Sequence, residues 1–177
     1  MKSSKNKVTA FFDGACAPIN PKGHLGIGCY VVYEDEVIFE YSGYEPASNK
    51  TSNNVAEYLA FEKVLEFLIR EEMQDERIEI FGDSDLVVKQ MNGVWRIKNG
   101  LYVEVAKRCL DYLNEFSDIV IKWIPREQNS QADLLSNVEF ENRGIKKFEK
   151  PKEHPKKGSS EYEYIEYLRL KKKFEGK

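Results

Sequence analysis

The sequence predicts an α/β fold: a five-stranded mixed sheet, three strands antiparallel and the others parallel, with helices on both faces. Three observations carry this. Lys7–Asp13, Leu25–Tyr33 and Val37–Ser42 are consecutive β-prone runs joined by polar or Pro/Gly connections, the pattern of an antiparallel meander. From Val55 onward, helical-period segments alternate with short strand-like runs, which implies right-handed crossovers and parallel pairing. Finally, 177 residues, 41% hydrophobic and 32% charged, suffice for one domain with a real core and a modest appendage.

Element by element, Lys7–Asp13 reads as a strand ending in the turn Asp13-Gly14-Ala15. Pro18, Pro21 and Gly23 make the next segment a loop. Leu25–Tyr33 is apolar and β-branched, Glu34-Asp35-Glu36 is a tight polar turn, and Val37–Ser42 is the partner strand. Tyr44–Ser52 is a loop, and Ser52, Asn53 and Asn54 offer N-cap side chains at its end. Val55, Leu59, Phe61, Val64, Leu65 and Leu68 recur at helical spacing, so Val55–Glu72 is a helix. Arg77–Phe81 is a short buried strand running into Gly82-Asp83-Ser84, followed by a short helix at Asp85–Met91 and a loop around Trp95. Leu101–Phe116 is a second long amphipathic helix, Asp118–Ile124 a strand stopped by Pro125, and Gln128–Asn137 a last short helix.

After Phe140 the texture changes, so we expect a domain over residues 1–140 and a charged appendage over 141–177. Pro151 and Pro155 sit in a stretch without periodicity, which reads as a linker. The capping-box spacing of Ser160 and Glu163, with Tyr164, Tyr167 and Leu168 on one face, then predicts a short C-terminal helix. The overall net charge of −3 hides an asymmetry: residues 141–177 hold twelve basic and seven acidic side chains, a net of +5, and the preceding part nets −8. An acidic body with a basic tail suits a cation-loaded cleft with a phosphate-attracting arm, although charge alone decides little.

Several function classes are excluded or disfavoured. No apolar run approaches the roughly 20 residues of a membrane span, and the basic N-terminus is not followed by the apolar stretch of a signal peptide. Cys16, Cys29 and Cys109 are isolated thiols without a C-x-x-C pair, which argues for a reducing, cytoplasmic setting and against zinc. With only His24 and His154, a histidine-rich metal site or a Ser-His-Asp triad is poorly supplied, so any metal must be held by oxygen, as magnesium or manganese would be.

The acids supply such oxygens. Asp13 and Asp83 end strands, Glu57 lies early on a helix, and Asp133 lies on the last helix. Ligands of open α/β sheets gather at the carboxyl ends of strands, where all four would meet. Clustered carboxylates repel and raise one another's pKa, so the arrangement is tenable only with bound cations. Two magnesium ions roughly 4 Å apart would activate a water and stabilise the leaving oxygen of a phosphoryl displacement. Taken singly, Asp83 or Asp133 reads equally well as a turn or cap residue, and the chain holds 30 acids in all.

Phe12-Asp13-Gly14-Ala15, Thr51-Ser52-Asn53-Asn54-Val55-Ala56-Glu57, Gly82-Asp83-Ser84 and Arg126-Glu127-Gln128-Asn129-Ser130-Gln131-Ala132-Asp133 together resemble the motifs of the type 1 ribonuclease H family, in order and on the right elements. The resemblance runs from Lys7 to Val138. It implies the ribonuclease H-like fold. It also implies metal-dependent, endonucleolytic hydrolysis of the RNA strand of RNA–DNA hybrids, leaving 3′-hydroxyl and 5′-phosphate ends. Asp13, Glu57, Asp83 and Asp133 match the family's metal-binding acids for two Mg2+ ions, with Mn2+ as substitute. Asp13 would bridge both ions, with Glu57 and Asp83 on one and Asp133 on the other. Asn53 and Asn54 match residues that contact the minor groove and its 2′-hydroxyls, the group by which RNA is told from DNA. Asn20 is a further such match, and Lys50 and Ser52 sit where relatives hold a DNA phosphate. Ser84, beside Asp83, joins the candidate nucleic-acid contacts.

Two departures from the family pattern stand out. Many bacterial members carry a histidine in the loop before the last acid; here Trp123–Asp133 has none, and Arg126 occupies that loop with the Arg-x-x-Asn spacing of the archaeal-like branch. Arg126 stays charged and cannot shuttle a proton, so it would hold a phosphate or help product leave, or else form a surface salt bridge. Asn129 would orient the loop or an acid. Many relatives also insert a basic protrusion where this chain has only Asn92–Gly100. Trp95, Arg96 and Lys98 would form a small DNA-facing surface there, with a core role for Trp95 as the alternative. Weaker hybrid affinity follows unless Lys146, Lys147, Lys156, Lys157 and the Lys171–Lys173 run compensate. The expected protein is a monomer acting on hybrid, with duplex RNA a second candidate substrate. A non-catalytic binding module or a DNA-cutting relative on the same fold are the rival readings.

Overall fold

The computed structural model describes residues 7–146, and none of its helices is long and apolar enough to cross a membrane. The expected C-terminal helix and most of the tail lysines lie outside these residues. Strands β1 (Lys7–Ala17), β2 (His24–Tyr33) and β3 (Glu36–Glu45) form the antiparallel meander, and β4 (Arg77–Gly82) and β5 (Ile119–Trp123) add in parallel on the far side of β1. The sheet order is β3-β2-β1-β4-β5. Helix α1 (Asn53–Arg70) connects β3 to β4; α2 (Asp85–Met91) and α3 (Val103–Leu113) connect β4 to β5; α4 (Ser130–Asn142) follows a one-turn 3-10 helix at Arg126–Gln128.

Strand alternation divides the sheet. Val8, Ala10 and Phe12 of β1 are fully buried in the main core, where the Phe12 ring meets Phe61 of α1 edge-on with centroids 5.2 Å apart. Asp13, Ala15 and Ala17 face the other way; Ala15 and Ala17 pack with Phe140 of α4 and with Ile145. Thus α1 and α4 cover opposite faces. The α1–α3 layer is pinned by the buried carboxylate of Glu62, which Arg108 of α3 meets with Nε at 2.6 Å and Nη2 at 2.9 Å.

The boundaries differ from expectation where pairing, which is non-local, outlasts the local signal. Asp13-Gly14-Ala15 is strand rather than turn, because β1 keeps pairing with β2 through Ala17↔His24. β3 runs on to Glu45 opposite Leu25. Helix α3 is trimmed at both ends, and α4 starts at Ser130 and continues to Asn142, past the compositional change at Phe140.

Two glycines set how close the helices come. A Cβ on Gly14 would stand 2.2 Å from the backbone of Ala56 and Glu57 in α1; one on Gly28 would stand 2.2 Å from Ser136 N and 2.4 Å from Ala132 O in α4. Backbone cannot move aside as a side-chain tip can, so only a residue without a Cβ allows these contacts. Gly28→Ala should push α4 off β2 and destabilise the protein by about 1–3 kcal/mol, the usual cost of overpacking. Urea denaturation measures it, and a change below about 0.5 kcal/mol would refute the packing argument.

Candidate active site

The parallel pairing of β1 with β4 ends at Phe12↔Gly82, and the next residue on each strand is an acid, Asp13 and Asp83. The two carboxylates therefore leave neighbouring strands at the same level. Gly14 lets the first turns of α1 bring Glu57 against this end of β1, and Gly28, paired with Asp13, lets α4 bring Asp133 and Ser136 to it from the opposite face.

Each acid is held by its own donors. Asp13 is 9% exposed, and Ser136 Oγ stands 2.8 Å from its Oδ2. The same hydroxyl lies 2.8 Å from the Asp133 carbonyl, and its single proton can serve only one acceptor at a time. Glu57 accepts from Asn53 Nδ2 at 3.0 Å and from Ser84 Oγ at 2.5 Å. Asp83 accepts from Asn129 Nδ2 at 2.8 Å, and Trp123 Nε1 donates to its backbone carbonyl at 3.1 Å. Asp133 accepts from Arg126 Nη2 at 2.6 Å. Burial pushes the Glu57 carboxyl up to about 7; Asp13 and Asp83 add to the rise, and the Ser84 and Asn53 hydrogen bonds oppose it.

Among the described residues no three Asp, Glu, His or Cys side chains converge into a ready-made metal cluster. The donor set nonetheless fits a hard divalent cation, since all four side chains offer carboxylate oxygen, and burial already disfavours the charged form of Glu57.

The substrate-side candidates separate into two groups. Asn20, Ser52, Asn53 and Asn54 gather at the start of α1. Ser52 is its N-cap, accepting from Val55 N at 3.3 Å, so capping falls to Ser52 rather than to the asparagines. Asn20 Oδ1 accepts from Asn53 N at 2.9 Å, which ties the first loop to this helix end. Thr51 Oγ1, 2.6 Å from Gly23 O, and Lys22 N, donating to Thr51 O at 2.8 Å, knit the two loops together. Asn54 and Lys50 are exposed. Apart from these, Trp95 is 43% exposed, with Lys89 Nζ 4.4 Å from its ring centroid, so it is not a core residue. It lines a groove of about 470 Å³ with Leu86, Gln90, Arg96, Lys98 and Tyr102. Gln90 anchors that groove, accepting from Tyr58 OH at 2.6 Å and donating to Arg96 O at 2.9 Å.

Ser84 and Asn129 are buried, and Ser84 Oγ and Asn129 Nδ2 are spent inside the site. Asn129 Nδ2 joins Phe12 O, at 2.9 Å, to the Asp83 carboxylate, so it orients an acid. Two residues escaped the sequence reading. Ser136 had a usable signal, its i+3 spacing from Asp133 on one helix face; Gln90 had none, because its partners come from α1 and the Trp95 loop.

The reverse transcriptase-like family model matches residues 11–139. A curated ribonuclease HI of Halobacterium salinarum is 35% identical over 131 residues, 74% of this chain and 63% of that protein's length, so the chain spans somewhat under two thirds of this relative. The crystal structure of RNase H1 from the same halophilic archaeon superposes with TM-score 0.65 at 30% identity, over 77% of this chain and 98% of that one. This chain belongs to the type 1 ribonuclease H family. LC11-RNase H1, isolated from compost, matches with TM-score 0.69 at 33% identity over 78% of this chain and 98% of its own. A second structure of LC11-RNase H1, in complex with an RNA/DNA hybrid, matches with TM-score 0.64 over 72% and 92%. Within this family's fold, the short Asn92–Gly100 segment forms the open groove around Trp95.

Two outcomes follow from the geometry. The raised Glu57 means that the fold holds a proton between about pH 4.5 and 7 that the unfolded chain has released. Metal-free stability therefore falls as pH rises through that window. Glu57→Gln in the presence of chelator should stabilise the protein by about 1–2 kcal/mol at pH 8, allowing for the partial exposure of the group, and leave it unchanged near pH 4.5. Equal effects at both pH values, by chemical denaturation, would contradict this. Asn129→Ala removes the donor shared by Asp83 and Phe12 and should cost about 1–3 kcal/mol of stability. It should lower kcat with little change in KM, and a change confined to KM would show that Asn129 serves substrate binding instead.

Proposed function

We propose that this protein is a divalent-metal-dependent endoribonuclease that hydrolyses the RNA strand of RNA–DNA hybrids and leaves 3′-hydroxyl and 5′-phosphate ends. The observation that supports this reading is that Asp13 and Asp83 each follow the last β1–β4 pair, while Gly14 and Gly28 let the helices that carry Glu57 and Asp133 approach β1 and β2 closely. The LC11 relative crystallised with an RNA/DNA hybrid supports the substrate class.

Asp13, Glu57, Asp83 and Asp133 would hold Mg2+, two ions per site with Mn2+ as substitute. When bound, the cations supply a water nucleophile at neutral pH and neutralise charge at phosphorus. The chain's own residues do the rest. Ser136, Ser84, Asn53 and Asn129 orient the carboxylates through the hydrogen bonds described above. Asn20, Asn53 and Asn54 read the 2′-hydroxyls of the RNA strand from the start of α1, and Lys50 and Ser52 take a DNA phosphate. Trp95, Arg96 and Lys98 pack and pair against the DNA backbone in place of a longer protrusion. The basic segment after residue 140 adds non-specific phosphate attraction. The thiols of Cys16, Cys29 and Cys109 are unpaired, which accords with a reducing, cytoplasmic setting.

A gel with end-labelled hybrid, duplex RNA and duplex DNA, with and without Mg2+, tests the reading. Cleavage is expected in the RNA strand of the hybrid and only with the cation; cleavage of the DNA duplex, or activity in chelator, would overturn it. Asp13→Asn should abolish cleavage with an unchanged circular dichroism spectrum, and a full-rate variant would overturn the mechanism.

A further inference from the structure

Arg126 is bonded directly to one of the four acids, with Nη2 at 2.6 Å from Asp133 Oδ1. The contact is built into the local chain. Arg126 opens the 3-10 turn Arg126–Gln128, Asn129 N donates to Arg126 O at 2.9 Å, and Asp133 N donates to Asn129 O at 3.0 Å. Asn129 is fully buried and fastened to Phe12 and Asp83, so the turn that presents the guanidinium is anchored to the same strand ends that present Asp13 and Asp83. The Asp133 hydrogen bond favours the guanidinium's charged form most, and Asp13 and Asp83 add to it. The Arg126 side chain is 67% exposed and that of Asp133 29%, so the pair can separate into solvent without crossing a packed core.

We propose that Arg126 is an internal counter-cation that competes with a divalent ion for Asp133, holding the acidic cluster together without metal and giving up the carboxylate when a cation is taken up. The proposal rests on the reading that the four acids hold metal. Two positive charges on one carboxylate repel, and linkage is reciprocal: whatever the Arg126–Asp133 pair contributes to the metal-free site is subtracted from the cation's affinity. Once released, the guanidinium keeps its charge and its fork of donors, which suits a phosphate oxygen. Arg126 thereby couples cation uptake to engagement of the nucleic-acid backbone.

The test is a calorimetric titration of the full chain with MnCl2, at low salt and without nucleic acid, for the wild type, Arg126→Gln and Arg126→Lys. Arg126→Gln should bind Mn2+ about tenfold more tightly than the wild type, within the usual range of such couplings, and the charge-keeping Arg126→Lys should stay close to the wild type. In thermal unfolding, Mn2+ should raise the Tm of Arg126→Gln by more than that of the wild type. An Arg126 that is only structural would lower the metal-free and Mn2+-loaded Tm equally and leave Mn2+ affinity unmoved, which would overturn the proposal; so would weaker Mn2+ binding by Arg126→Gln. If the folded wild type takes up no Mn2+ at all, the metal reading of the four acids fails, and this proposal with it. Wild-type uptake with an unchanged Arg126→Gln affinity defeats the proposal alone.

Discussion

Parallel pairing of β1 and β4 stops after Phe12↔Gly82, and the next residue on each strand is an acid, Asp13 and Asp83. On its own this is unfavourable, since like charges at short range in a partly buried setting repel. Much of the surrounding structure answers that repulsion. Ser136 reaches Asp13 from α4, Asn129 reaches Asp83 from the turn before α4, and Asn53 and Ser84 share Glu57. Arg126 supplies the one full positive charge among these contacts, on Asp133. Burial above all, with a smaller contribution from Asp13 and Asp83, pushes the Glu57 carboxyl up to about 7.

The reach of the helices depends on backbone volume. Side-chain chemistry selects which acids are present, but Gly14 and Gly28 decide whether α1 and α4 come close enough to deliver them. Hydrogen bonds, rather than backbone volume, brace the start of α1. The first loop and the loop before α1 are joined by Thr51, Lys22 and Asn20, so the asparagines that would read the RNA strand stand on a braced helix end rather than on a free loop. His24 takes part in the bracing, because its Nδ1 accepts from Ala47 N at 3.1 Å.

The groove around Trp95 is held open by a few buried contacts. Its walls hang on Gln90, whose amide is satisfied by Tyr58, Tyr102 and the Arg96 carbonyl, while the stacked Tyr58 and Tyr102 rings, 5.3 Å apart, back it from the core. Trp95, Arg96 and Lys98 are thereby held exposed by a short segment.

The sequence by itself determined the order and type of the elements and the antiparallel-then-parallel sheet, and it placed Asp13 and Asp83 directly after strand-forming runs. Periodicity, Gly and Pro punctuation and motif spacing are local, and they survive into the fold. Only the tertiary structure decided where elements end and what holds each acid. β1 runs past Asp13 because β2 continues to pair with it, which no local signal announces. Ser136 meets Asp13 across 123 positions of chain, and Asn129 meets Phe12 across 117. The capping role falls to Ser52 because backbone geometry at the helix start, set by the braced loops, turns its hydroxyl toward Val55. Partners of this kind come from packing, and packing is fixed by volume and pairing across the whole domain, not by the neighbours of a residue along the chain.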